Sequence, residues 1–250
     1  MPVGDDVRDL GHDMTVRLML TCLCDAFYGE VGIATVRVLE AAGCRVEFPP
    51  EQTCCGQPPF NAGDWDAARK LVLRAAEVFA GEIPVVTPSA SCAAMVRHGA
   101  TMLMRDPPFP CYELAEFLVD VVGIPKWKRG LPRRRVAFHQ SCHGRALRAS
   151  SKTGSGPAQR LLLESINGLE VIDLPEPEQC CGFGGAFSST HGSISAGIGM
   201  RKLEMAMQAG ATEIVGGDMG CLMHLDGLIR REALPLKVRH FAQVLDEAIR

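Results

Sequence analysis

The chain lacks the apolar run that a membrane span needs. None of its 250 residues lies in a stretch approaching ~18–20 apolar residues, and its first residues hold no signal-peptide core. No membrane span is expected, and the expected compartment is the cytoplasm. Net charge is also missing: the formal value of −3 gives no electrostatic case for nucleic acid or an anionic membrane. The one tight basic run, Arg133-Arg134-Arg135, precedes strand-like Val136-Ala137-Phe138 and is expected to be a solvated strand entrance. Several catalytic signatures are absent too. Lys152-Thr153-Gly154-Ser155-Gly156 lacks the upstream glycine spacing of a phosphate loop, and Gly182 to Phe187 does not fit a dinucleotide fingerprint. There is no His-Glu-x-x-His helix, and no motif draws scattered Ser, His and Asp into a triad.

What the chain has is cysteine. Eleven are present, and in a reducing compartment ligation or redox chemistry outranks a disulfide scaffold. Eight of them form one pattern written twice. Cys22, Cys54, Cys55 and Cys92 leave gaps of 31 and 36 residues; Cys142, Cys180, Cys181 and Cys221 leave gaps of 37 and 39. Each adjacent pair is followed by glycine, as Cys54-Cys55-Gly56-Gln57-Pro58 and Cys180-Cys181-Gly182-Phe183-Gly184-Gly185. Three cysteines remain. Cys44 and Cys111 read as buried or incidental thiols, and Cys24, two residues from Cys22, is a candidate auxiliary ligand.

The pattern rides on alternating elements. Residues 1–15 are polar and unpatterned and are expected to be a frayed lead-in. In the first half the periodicity predicts strands at 16–21, 45–48 and 83–87 and helices at 32–42 and 64–80. In the second half it predicts strands at 135–139, 169–174 and 213–215 and helices at 157–166, 194–209 and 240–249. The fold class is therefore α/β, internally duplicated: two similar parallel-sheet domains related by a pseudo-twofold, with cysteines at the carboxyl ends of strands. The domains are expected at 16–104 and 134–250, joined by a proline-rich connector at 105–133, and both sites are expected near the interface between them.

Four thiolates at one point are the ligand set of an iron–sulfur cluster or a zinc ion. Adjacent cysteines serve two irons of one cluster more readily than one tetrahedral ion, and the glycine after them permits the turn. Structural zinc prefers ligand pairs two to four residues apart, and neither repeat has Cys-x-x-Cys. The tight ferredoxin run is absent as well. Gly184 and Gly185 are expected to point N–H groups at cluster sulfides. Histidines flank the second set: His139 and His143 bracket Cys142, and His224 follows Cys221 by three residues, with Met95 in the corresponding place after Cys92. His224 is the first candidate for an additional ligand, ahead of His143 and then His139. Arg97, Arg145, Arg148 and Arg201 are candidate carboxylate binders.

These residues carry a resemblance. Thr21-Cys22-Leu23-Cys24-Asp25, Ser91-Cys92-Ala93-Ala94-Met95, Glu113-Leu114-Ala115-Glu116-Phe117-Leu118, His139-Gln140-Ser141-Cys142-His143, Cys221-Leu222-Met223-His224 and the two Cys-Cys-Gly segments together resemble the CCG-domain, cysteine-rich iron–sulfur proteins. The match is closest to the lactate-utilization branch, with the iron–sulfur subunit of glycolate oxidase and the cysteine-rich subunit of heterodisulfide reductase as further relatives. The resemblance implies an iron–sulfur electron-transfer subunit of a complex oxidising L-lactate to pyruvate, inactive alone. Its implied partners are the other lactate-utilization proteins, one a ferredoxin-type iron–sulfur protein and the other a small third protein. It implies one or two clusters, 4Fe-4S in type, on the eight repeated cysteines. In the heterodisulfide reductase relatives a fifth cysteine completes a non-cubane cluster; here Met95 and His224 hold that place, which favours a four-cysteine cluster, or none in one repeat. The second repeat keeps more ligands and is the first place to look for a labile or catalytic cluster. The rival readings are a zinc scaffold in one or both sites, and metal-free thiol–disulfide chemistry at the adjacent cysteines.

Overall fold

The computed structural model describes residues 14–104, 106–124 and 127–250. In the first half β1 (Met14–Leu18) leads to α1 (Cys22–Phe27) and α2 (Gly29–Ala41), and β2 (Cys44–Glu47) to α3 (Gln57–Asn61) and α4 (Trp65–Val78). Next, β3 (Val85–Thr87) leads to α5 (Ala90–Ala94), which runs through a π-helical stretch (Met95–Gly99) into α6 (Ala100–Leu103). Then β4 (Cys111–Glu113) leads to α7 (Leu114–Phe117). The second half repeats the scheme. There β5 (Arg134–His139) leads to α8 (Cys142–Ala146) and α9 (Ser155–Glu164), and β6 (Leu169–Ile172) to α10 (Ala186–Thr190) and α11 (Gly192–Gln208). Finally β7 (Glu213–Gly216) leads to α12 (Met219–Arg231), and β8 (Lys237–His240) to α13 (Phe241–Ile249).

Each half carries a four-stranded parallel sheet, ordered β2-β1-β3-β4 and β6-β5-β7-β8. The orders superimpose strand for strand, so the duplication read from the cysteines is a duplication of topology. Strands covered on both faces need apolar residues without a polar side, and Val85, Val86 and Thr87 are all buried. The order reverses beside β1 and β5, and the crevice outside such a switch point is where parallel sheets open a site.

The halves meet reciprocally. Helix α2 packs on α13 as α9 packs on α7, and α5 meets α8 as α1 meets α12. Such exchange is the signature of a pseudo-twofold. One core runs through the interface: Val38 and Leu39 of α2 share it with Phe241, Leu245 and Ala248 of α13 and with Leu162 of α9. Each of these valine, leucine and phenylalanine side chains, fully buried, contributes about 1.5–3 kcal/mol.

Four expectations change. The stretch 105–133, expected as a connector, also carries β4 and α7, and β4 completes the first sheet by pairing with β3. Cys111-Tyr112-Glu113 follows a run of prolines and lacks the apolar residues that mark the equally short β3. Met14 and Thr15, placed in the frayed lead-in, pair with Cys44 and Arg45; the rest of that expectation lies outside the described residues. The basic run is not simply solvated. Arg134 is mostly buried and bonds Glu247 of α13 at 2.8 Å, and Arg239 reaches the same carboxylate at 2.7 Å. His240, expected to open the last helix, ends β8 and caps α13 with its ring.

Candidate metal centre

The loop after each first strand ends in a hydroxyl N-cap. Thr21 accepts from Cys24 N and Ser141 from Gly144 N, so Cys22 and Cys142 are the first residues of α1 and α8. Thr21 reaches this position with φ 80°, a left-handed conformation uncommon for a β-branched residue, whereas Ser141 has φ −70°. The loops after the second strands carry the adjacent pairs. Gly56 and Gly182 follow them with φ 92° and 91°, the turn that glycine was expected to permit. The third strands deliver Cys92 and Cys221, each three residues past a cap, Ser89 or Asp218. The caps also tie the halves together, since Ser91 N donates to Asp218 Oδ2 at 2.9 Å.

In the first half Cys22 Sγ lies 3.8 Å from Cys54 Sγ, and Cys55 Sγ lies 3.2 Å from Cys92 Sγ. In the second, Cys181 Sγ lies 2.9 Å from Cys221 Sγ, and the charges of Cys142 and Cys180 act on Cys221 as well. Backbone N–H groups converge on the thiols: Gly56 N on Cys54 at 3.5 Å, Gly182 N on Cys180 at 3.3 Å and Phe183 N on Cys181 at 3.5 Å. Gly184 and Gly185 also make the tight turn into α10, their carbonyls accepting from Phe187 and Ser188.

Crowding shows in the acidities. Cys22 is pushed up by its hydrogen bond with Cys54, then by burial and the neighbouring charges, while Cys54 is lowered by the bonds from Cys22 and Cys55. Cys180 is raised by its bond with Cys181 and by burial, and Cys142 by burial and the charge of Cys180. Apart from Cys54, these thiols hold their protons more tightly than a free thiol, and a multivalent cation would take them as thiolates. With sulfur pairs bridging loops in each half and N–H groups aimed at sulfur, the residues suit a thiolate-bound metal group, and among the described residues three possible ligand atoms lie within 4.8 Å of one another only in the second half.

Comparison with known proteins agrees. The pattern defining the "Cysteine-rich domain" family, CCG, matches residues 16–97 and 136–226. The chain belongs to this family. "Lactate utilization protein A" of Geobacillus kaustophilus (strain HTA426) is 41% identical over 242 residues, which cover 93% of this chain and 99% of that protein. The protein of the same name from Oceanobacillus iheyensis is 37% identical, covering 93% of this chain and 97% of that one. A solved structure, "Crystal structure of a hypothetical protein from Helicobacter pylori", matches with a TM-score of 0.60 at 9% identity over 94% of this chain. That likeness shows the fold alone, and this chain spans 49% of that protein's length.

In this CCG protein the histidines fall differently from their sequence ranking. His139, ranked last, has a ring nitrogen within 4.8 Å of both Cys181 Sγ and Cys221 Sγ. His143 Nδ1 lies 3.9 Å from Cys142 Sγ. His224, ranked first, places Nε2 3.3 Å from the Ser195 carbonyl, under the Gly182 turn. Of the arginines, Arg97 pairs with Glu116 at 2.6 Å and Arg145 with Glu178 at 3.0 Å, Arg201 pairs with Glu176, and Arg148 is exposed. Cys24 is buried and pushed up to about 12 by that burial. Cys44 and Cys111 are buried in strands.

Sequence reading missed Lys202. It is fully buried on α11, and its ammonium is lowered by burial but pulled back up by the charges of Cys181, Cys221 and Cys180. The signal was available: Lys202 shares a helical face with Ser195, Gly199 and Ala206, all small, and a lysine on such a face asks for a counter-charge.

Proposed function

We propose that this chain is the iron–sulfur electron-transfer subunit of an assembly that oxidises L-lactate to pyruvate. Cys142, Cys180, Cys181 and Cys221 hold one cluster and Cys22, Cys54, Cys55 and Cys92 a second. The observation that carries the reading is that thiols after the second and third strands touch in each half, at 3.2 Å and 2.9 Å, with Cys22 also 3.8 Å from Cys54 in the first. The relatives' shared name supplies the substrate, and their coverage of nearly the whole chain supports carrying it over. Lactate oxidation releases two electrons and two protons, and clusters accept electrons singly, so two sites in one chain suit the stoichiometry. When bound, the group supplies one-electron redox chemistry; the protein's part is to hold it, exclude water and tune it through the N–H groups of Gly56, Gly182 and Phe183. The arginines that first suggested carboxylate binding mostly answer the protein's own acids. Lactate itself is therefore assigned to a partner, either a ferredoxin-type iron–sulfur protein or a small third protein, in the cytoplasm. No helix among the described residues is long and apolar enough to cross a membrane.

A second reading has one observation of its own. His139, Cys181 and Cys221 form a mixed nitrogen–sulfur set of the kind that holds zinc. One experiment separates the two: iron, sulfide and zinc per chain on anaerobically purified protein, with EPR before and after dithionite. Iron and sulfide near four or eight per chain with a reducible signal support the electron-transfer subunit. Stoichiometric zinc without sulfide makes the chain a scaffold and moves the electron path to its partners.

A further inference from the structure

The halves set different side chains behind equivalent thiols. Three residues before Cys22 stands Met19, just past the end of β1, and three before Cys142 stands His139, the last residue of the equivalent β5. Behind the glycine turns, Gly56 faces Ala68 and Val72 of α4 while Gly182 faces Ser195 and Gly199 of α11. That register sets Ala75 opposite Lys202. After the last cysteine of each set come Met95 and His224. The first site is thus backed by Met19, Ala75 and Met95, all buried and uncharged.

The second site is backed by a buried cation and a buried imidazole. Lys202 and His139 are exposed by only 0% and 1%, and neither Lys202 Nζ nor either ring nitrogen of His139 has a hydrogen-bond partner among the described residues. An unpaired buried ammonium is expensive and persists where an anion answers it. The charges that draw on Lys202 are those of Cys181, Cys221 and Cys180, and His139 reaches within 4.8 Å of two of these sulfurs. The anion they answer therefore belongs to whatever the second set of cysteines holds.

We propose that Lys202 and His139 make the second site the stronger electron acceptor of the two, so that an electron reaching the first site comes to rest on the second. The inference builds on the iron–sulfur reading above. Adding an electron makes a thiolate-bound cluster more negative, and a buried cation with a nearby N–H donor stabilises that reduced form. The transfer is a single electron: the first site is oxidised by one as the second is reduced by one, and no bond forms or breaks.

The test is an EPR-monitored redox titration of the anaerobically purified full chain, with the second-site signal identified by its loss in Cys181→Ser. In the wild type the second site is expected to reduce at the higher potential. Lys202→Met should lower its ratio of reduced to oxidised form at least tenfold at a fixed potential, about 59 mV for one electron, and leave the other signal in place. His139→Met should shift it less, in the same direction, and Lys202→Arg should restore wild-type behaviour. A higher potential at the first site, or no shift in Lys202→Met with iron retained, overturns the inference alone. If Lys202→Met sheds its second-site iron, Lys202→Arg decides: retained iron and potential support a cationic role, and iron loss there too marks packing and overturns it. Wild-type protein without iron and sulfide removes the cluster reading, and this inference with it.

Discussion

The two halves share a scaffold and differ in what surrounds it. Both keep a hydroxyl cap before the first cysteine, a left-handed glycine after the adjacent pair and a side-chain cap before the helix bearing the last cysteine. These features bend the backbone so that thiols from separate loops touch, Cys55 with Cys92 and Cys181 with Cys221, and a change at any of them would move a proposed ligand. The side chains behind the thiols are under no such demand, and there the halves part: Met19, Ala75 and Met95 against His139, Lys202 and His224. The backbone also differs at one end, since a π-helical stretch follows Cys92 while Cys221 lies in an uninterrupted helix, α12. Position of the ligands is the common requirement; electrostatic setting is where two copies of one site acquire separate tasks.

The largest effects break the equivalence itself. Cys55→Ser and Cys181→Ser each remove a buried thiol that touches a second one. Each is expected to cost about half the iron, and the pair together nearly all of it. Iron per chain measures this directly. If one variant keeps its full iron content, only the other half holds a cluster and the symmetry stops at the fold.

Next come the glycine turns. A Cβ at Gly182 would lie 2.3 Å from the Ser195 carbonyl oxygen, and one at Gly56 would lie 3.1 Å from the Ala68 carbonyl oxygen, with almost the same positive φ. Left-handed strain is therefore common to both, about 1–2 kcal/mol, and overpacking of about 1–3 kcal/mol is added mainly at Gly182. Gly182→Ala should lower the thermal midpoint by clearly more than Gly56→Ala. Equal losses would mean that the second turn relaxes as easily as the first.

How far the sequence carries this comparison follows from what each feature depends on. The cysteine repeat, the glycines and the alternation of apolar segments are local, and they led to the α/β duplication and to the thiols that gather. Strands β4 and β8, Cys-Tyr-Glu and Lys-Val-Arg-His, lack the apolar run that marks β3, which is no longer than they are. The rank of the histidines failed for a geometric reason. His224 was ranked first for its place three residues after the last cysteine, but α12 turns that ring toward Ser195, whereas His139 at the end of β5 points into the thiols. Lys202 lies 21 residues beyond Cys181 and meets it only because α11 packs behind the loop. Its charge was legible as an oddity; its partners were not.

The comparison extends to the interface, where Glu113 and His240 are equivalent caps of α7 and α13. Burial lowers His240 from 6.5 to about 4, opposed by its bond to the Pro88 carbonyl. Its Nδ1 accepts from Ala242 N, so Nε2 carries the proton and donates to Pro88. The unfolded chain protonates this ring first, so its contribution to stability is lost as pH falls from 6.5 toward 4, a change on the order of 2–3 kcal/mol. Glu113 runs the other way. Burial and then the charge of Glu116 raise it from 4.5 to about 8, so the folded chain keeps that proton longer and stability falls as pH rises through this range. Subtracting variant from wild type isolates each group. Thermal midpoints of His240→Gln should lose the rise between pH 4 and 6.5, and those of Glu113→Gln should lose the decline that continues to about 8. Two caps in equivalent places would then tilt the same stability curve in opposite directions, and parallel pH profiles for the two variants would show that the interface treats them alike.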